Sequence, residues 1–338
     1  MRKPYKFFLL ISLILVYLVI AAGSIVRMTG SGMGCPDWPK CFGYLIPPTE
    51  RSQLDWKARH SYEKGQVIIM TESLQVATKD FVSGDVFLPK NWASYTKHDY
   101  AIFNATHTWI EFLNRLLGAL AGLATLFLFI ASLFRLKKDP WVSLVTFLII
   151  LGMGFQAWLG KTVVDSNLLP YKITIHMGMA LFIVLLLIFL LERENKFSKT
   201  LPKTNLFKGL FTFGFILTII QIGMGTQVRQ FVDDQMHLWG LVAASKWLAE
   251  APFLFYFHRS FSLSVLFIHG WLAYVFYKKQ YFPPLFLGIL FLISLEILSG
   301  IWMYYFDFPF SSQPLHLVFA SLLFGAQSYF MIRIIKQK

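Results

Sequence analysis

Three histidines, His176, His258 and His316, each stand at the start of a long apolar run just after a polar loop, and Asn114 holds the corresponding place in a fourth run. One histidine in an apolar helix is ordinarily a hydrogen-bonded packing residue. Three in equivalent positions point to ligation, and imidazoles at similar depth on facing helices are how bundles hold a haem through its axial positions. Zinc or copper fits less well, because constant depth across two helices leaves the pair separated by something thick, which a porphyrin supplies. His107, Glu111 and Asn114 follow one another at i, i+4 and i+7, on one helix face. A carboxylate such as Glu111 inside the start of a membrane helix asks for a partner or a task. In an apolar site it is a candidate acid or base. Arg27, Arg115, Arg229 and Arg259 lie near the same ends of their runs, where guanidinium forks suit propionate carboxylates or anchor the chain at the interface.

The elements that position these residues are repeated. Gly160 to His176 and Gly300 to His316 span the same sixteen-residue separation, each with a polar residue four positions before the glycine, Gln156 and Glu296. Val26-Arg27 recurs as Val228-Arg229, and Asn114-Arg115 as His258-Arg259. The spacing predicts two related halves, 1–200 and 201–338, each ending in a histidine-bearing helix.

With 56% hydrophobic and 14% charged residues and a mean hydropathy of +0.56, the composition is that of a membrane protein. Eight apolar runs are long enough to cross a bilayer, at about 7–27, 108–134, 141–160, 172–191, 207–228, 254–277, 282–305 and 314–335. The expected fold is therefore all-α, with eight transmembrane helices forming two pseudo-repeated four-helix bundles. The net charge of +13 does not indicate nucleic acid: the N-terminus, three alternate turns and the C-terminal tail hold sixteen Lys and Arg against three acids, the whole excess. This is the positive-inside pattern and predicts both termini on the cytoplasmic side. The first run follows a basic start, but its length and the internal counterpart of its Val26-Arg27 end favour a helix over a secretory signal.

The outer segment from Gly23 to Pro48 is rich in glycine and proline, which predicts a compact irregular loop. Cys35 and Cys41, the two cysteines of the chain, would face an oxidising compartment and most simply form a disulfide. A metal site would need further ligands, and the Cys-x-x-Cys-His form of covalent haem attachment is absent. Residues 49–106 extend this loop to 28–106, an insertion of 58 relative to the second half. Residues 230–253 read as a shorter outer loop carrying Asp233, Asp234 and His237.

The segment GSIVRMTGSGMGCPDWPKC, the Glu111-x-x-x-Arg115 spacing, and His258-Arg259 together with His176 and His316 resemble the haem A synthases of bacteria and mitochondria, over nearly the whole chain apart from the inserted loop. The resemblance implies a membrane oxidoreductase of the bacterial cytoplasmic membrane. It would oxidise the C8 methyl of haem O to a formyl group by successive hydroxylations, for the assembly of haem-copper oxidases. It also implies a prosthetic haem b on His258 and His316, substrate haem at His176, and Glu111 near the reacting methyl. Implied partners are haem O synthase, cytochrome oxidase assembly proteins and the lipid bilayer, with homo-oligomerisation left open. The chain departs from the family at Asn114, where a histidine is expected. Either His176 alone holds the substrate haem or His107 substitutes for the missing ligand. A dihaem cytochrome b relaying electrons to or from quinone is the alternative, and would require a complete second histidine pair. A transporter, suggested by repeated halves and the intramembrane Glu296, would bind no haem.

Overall fold

The computed structural model describes residues 2–70, 73–95, 103–165, 170–194 and 204–336. Among these, eight helices are long and apolar enough to cross a membrane. They are α1 (Arg2–Met28), α2 (Ala105–Leu133), α3 (Pro140–Asp165), α4 (Pro170–Glu194), α5 (Asn205–Trp239), α6 (Phe253–Lys278), α7 (Pro284–Tyr305) and α8 (Ser312–Lys336). The protein is a multi-pass, all-α membrane protein.

Local chemistry sets the helix ends. Asn104 caps α2 by accepting a hydrogen bond from the His107 amide at 3.1 Å, and Thr204 caps α5 by accepting from the Phe207 amide at 3.3 Å. Prolines open α3, α4 and α7, where the missing N–H leaves no intrahelical bond unmade.

Two apolar cores run through the helices. One is built from α1 to α4, with Tyr5, Leu9, Leu128, Ile149 and Val184 among its members and Phe324 of α8 joining it. The other is built from α5 to α8 around Phe207, Phe211, Phe276, Phe286 and Phe330. Near the second core a polar bracket closes: His269 is fully buried, its Nδ1 2.8 Å from the Val265 carbonyl and its Nε2 2.9 Å from Gln327, which donates to Thr218 at 3.1 Å. This histidine is satisfied within the bundle, and with its partners it ties α5, α6 and α8 together.

Two segments differ from the sequence expectation. Gly23, expected at the start of a loop, lies within α1, which continues to Met28. Residues 230–239, expected as outer loop, continue α5 to Trp239, where Gly240 at φ 76° stops it. The reason is amphipathic: Val232 and Met236, four residues apart, bury against Trp247 beyond the helix end, and no proline or glycine interrupts 230–239.

The segment between α1 and α2 includes a small antiparallel unit. Strands β2 (Val67–Met70), β3 (Ser73–Ala77) and β5 (Trp92–Ser94) form one sheet in the order β2-β3-β5, and β1 (Ser61–Tyr62) pairs with β4 (Phe81–Val82). Side chains alternate along β2. Val67 and Ile69 pack toward Cys35, Cys41 and Phe42, while Ile68 joins Tyr62, Ala77 and Trp92. One face of the sheet thus carries the cysteine loop down onto the helix ends.

Candidate functional site

In four helix pairs, at the ends on the side of the Cys35–Cys41 loop, the same contact recurs. A Cβ added to Gly160 of α3 would meet the His176 ring at 3.5 Å, one added to Gly225 of α5 would meet the His258 ring at 3.2 Å, and one added to Gly300 of α7 would meet His316 at 3.9 Å. The fourth pair is Gly23 of α1 against Asn114 of α2, at 3.8 Å from its Oδ1. Each even-numbered helix therefore directs its key side chain at a glycine of the helix before it, where the absent side chain leaves room for a ring. Four residues before two of these glycines a glutamine bonds the histidine's own backbone: Gln156 donates to the His176 carbonyl at 3.1 Å and Gln221 to the His258 carbonyl at 2.9 Å. Both bonds fix the height of the histidine-bearing helix against its neighbour.

In the last pair this place is taken by Glu296, whose Oε2 lies 3.5 Å from His316 Nε2 and whose Oε1 is buried without a partner. Ser299, one turn further along α7, lies 2.8 Å from His316 Nδ1. His176 Nδ1, His258 Nδ1 and Asn114 Oδ1 are buried with no hydrogen-bond partner.

Glu111 and Arg115, one turn apart on α2, form a buried ion pair. Glu111 Oε2 also accepts from the Cys35 amide at 2.7 Å. Arg115 donates from Nη1 to the carbonyls of Asp37 at 2.6 Å and Lys40 at 3.1 Å, and from Nη2 to that of Cys35 at 3.2 Å. Thr108 donates to the Gly34 carbonyl at 2.8 Å, and Gly34 passes so close to the His107 carbonyl that an added Cβ would lie 2.5 Å from it. Cys35 and Cys41 are joined, as expected from the sequence. Asp37 closes the far side of this loop by accepting from the Phe42 and Gly43 amides at 2.5 and 2.8 Å. Burial pushes the Asp37 carboxyl above the usual range, opposed by those two bonds and by Arg115. Burial, with Asp37 nearby, pushes the Tyr95 hydroxyl up to about 12, so it remains a donor to the Pro36 carbonyl.

The other arginines divide. Arg27 of α1 donates to Asp233 of α5 at 2.5 Å and to Gln230 at 3.1 Å, across the junction of the two cores. Arg229 Nη2 lies 2.7 Å from the other oxygen of the same aspartate, an ion pair without hydrogen-bond geometry, and neither of its Nη atoms has a hydrogen-bond partner. Two guanidiniums thus share one carboxylate in a buried setting. Arg259 stacks over Tyr256 and Tyr304, at 5.6 and 5.3 Å from the ring centres.

Of the residues singled out by sequence, His176, His258, His316 and Asn114 each face a glycine of the preceding helix, and Glu111, Arg115, Cys35 and Cys41 form one cluster. Arg27 and Arg229 meet through Asp233. His107 stays in the first turn of α2, beside the cysteine loop. Gly225 and Ser299 escape the sequence reading, which places Gly23 and Asp233 in loops without a role. The two glycines carried a signal, since each lies four residues before Arg27 or Arg229.

A sequence-family model described as cytochrome oxidase assembly protein, COX15-CtaA, matches residues 6–82 and 90–328. The chain belongs to the COX15-CtaA family. The match continues through most of the outer loop, so the resemblance reaches beyond the segments that first carried it. The chain is 25% identical over 355 residues to the heme A synthase of Ehrlichia ruminantium, covering 96% of this chain and 92% of that protein. It is 24% identical over 362 residues to the heme A synthase of Wolbachia pipientis, covering 99% and 94%. The heme A synthase of Shewanella oneidensis is 28% identical over 188 residues, 55% of this chain and 45% of that protein. No solved structure matches the chain. The COX15-CtaA match encloses all four glycine-facing positions and the Cys35–Cys41 loop.

Proposed function

We propose that this protein is a haem A synthase of the bacterial cytoplasmic membrane, oxidising the C8 methyl of haem O to a formyl group by successive hydroxylations. The observation that carries the haem reading is the set of ring positions seated against glycines: three of the four are imidazoles, and Nδ1 of His176 and of His258 is buried without a partner. These features fit a flat, iron-bearing group between the helices.

In this reading the halves divide the work. Residues 201–338 would hold a prosthetic haem b through His258 and His316, and residues 1–200 would receive haem O at His176. Haem b, when bound, supplies one-electron transfer. Arg229, with unspent donors in a buried setting, is the residue best suited to a propionate, and Arg27 shares its aspartate. Arg259 and Arg115 stand one residue after His258 and Asn114, at the same outer ends. Arg115 orients Glu111, which holds or moves a proton at its carboxyl near the reacting methyl. The disulfide loop roofs this end and excludes water. Haem O synthase would deliver the substrate and oxidase assembly proteins would take the product. Both termini lie in the cytoplasm, which places the Cys35–Cys41 loop on the oxidising face.

The test is conversion of haem O by the purified protein, with the haems extracted and identified by mass. Formation of the formyl product that depends on Glu111 and His176 supports the assignment; haem binding without conversion would favour an electron carrier.

A further inference from the structure

The four glycine-facing positions form one series in which three members are imidazoles and one, Asn114, is a carboxamide. A neutral carboxamide is a poor ligand for haem iron, but its NH2 end can donate a hydrogen bond to a ligand on the iron, and its Oδ1, beside Gly23, is buried without a partner, so the amide is not committed to another group through its oxygen. His107, the other imidazole of α2, is seven residues earlier, about 10 Å along the helix axis. Its amide is held by Asn104 at 3.1 Å and its carbonyl lies against Gly34 of the disulfide loop. The backbone at His107 is therefore locked at the outer rim, and a rotamer change alone does not bring its ring to the depth of Asn114.

We propose that a haem in the N-terminal half is bound through His176 alone, and that the opposite coordination position, at Asn114, is a binding site for a small diatomic ligand of the iron, steadied by the Asn114 amide. The proposal rests on the reading that this half receives haem O. It gives the two halves different chemistry: a two-histidine clamp keeps a resident group, whereas a one-histidine seat can accept and release a substrate.

The experiment uses the full-length chain carrying His258→Ala, so that the N-terminal haem is seen alone, loaded with haem O in detergent. Carbon monoxide probes the ferrous state and cyanide the ferric state. The ferric haem should give a high-spin electron paramagnetic resonance signal, and the ferrous haem should bind carbon monoxide fully. Adding Asn114→His should convert the signal to low-spin and lower carbon monoxide affinity by more than about tenfold. Asn114→Leu should keep the high-spin state and weaken cyanide binding by about three- to tenfold, the loss of one hydrogen bond. A low-spin haem unresponsive to carbon monoxide would overturn the proposal, as would a switch to high-spin on His107→Ala, and unchanged cyanide affinity in Asn114→Leu would overturn the role of the amide. If His258→Ala impairs folding, the wild-type chain gives the same answer, since its carbon monoxide-sensitive fraction should equal its haem O content. A wild-type chain that carries haem b but takes up no haem O would instead overturn the substrate-site reading on which the proposal stands.

Discussion

Ser299 Oγ lies 2.8 Å from His316 Nδ1, and the same hydroxyl donates to the Glu296 carbonyl at 3.0 Å. With its proton committed to that carbonyl, the serine oxygen accepts from Nδ1–H, which puts the ring's lone pair on Nε2, 3.5 Å from Glu296 Oε2, the nitrogen that would hold iron. The bond both selects the tautomer and increases the ring's basicity. Ser299→Ala should therefore retain the haem proposed for the C-terminal half but raise its midpoint potential by tens of millivolts, while Ser299→Thr should stay near wild type. A redox titration checks this, and an unchanged potential in Ser299→Ala would mean the contact does not act on the ligand.

Asp233 balances Arg27 and Arg229 across the junction of the two cores. Removing it leaves two partly buried guanidiniums facing each other, so Asp233→Ala should destabilise the protein by roughly 3–5 kcal/mol, the usual cost of breaking a buried pair by deleting one partner. Thermal unfolding in detergent measures it. An unfolding midpoint equal to wild type would show that the cluster is wetter, or otherwise compensated, than its burial indicates.

Glu111 serves both the loop and the proposed chemistry, and two substitutions separate these roles. Glu111→Gln keeps an acceptor for the Cys35 amide but cannot carry a proton as a carboxyl does; turnover should fall about a hundredfold or more with haem content unchanged. Glu111→Ala also strands Arg115, so the loop around Cys35 should become sensitive to protease. Full activity in Glu111→Gln would remove Glu111 from the chemistry.

At the opposite end, Arg193 grips Asp139 with two hydrogen bonds of 2.8 and 2.9 Å, and these bonds hold the Asp139 carboxyl below its usual range. A depressed carboxyl contributes stability above its unfolded pKa and loses it as pH falls through its folded one. The pair lies partly exposed at the helix ends, where solvent screens it, so the effect is small, on the order of 0.5 kcal/mol. Asp139→Asn should lower the unfolding midpoint slightly at neutral pH, and the difference should vanish below the carboxylate range. A difference that persists in acid would assign the effect to packing.

Much of this was legible in the chain because membrane helices are written in composition. Eight apolar runs correspond to eight helices, and the recurrence of Gly160 to His176 in Gly300 to His316 marked two of the glycines and two of the histidines that the structure pairs. The cysteine pair was equally local, six residues apart. What escaped was non-local. Nothing near Arg27 indicates a partner 206 residues away at Asp233, and the extension of α5 that carries Asp233 depends on Trp247 waiting beyond it. The strands between α1 and α2 were hidden for a related reason: they run only two to five residues each, too short to show alternation clearly.

The central claim is that the two halves hold different haems on different histidines. The most direct measurement is the haem content, identified by mass and absorption spectrum, of the full-length chain carrying His258→Ala beside that carrying His176→Ala. The account predicts that His258→Ala loses haem b and its low-spin spectrum yet still takes up haem O, and that His176→Ala keeps haem b and loses haem O. The reverse pattern, or haem content unchanged by either substitution, would contradict it.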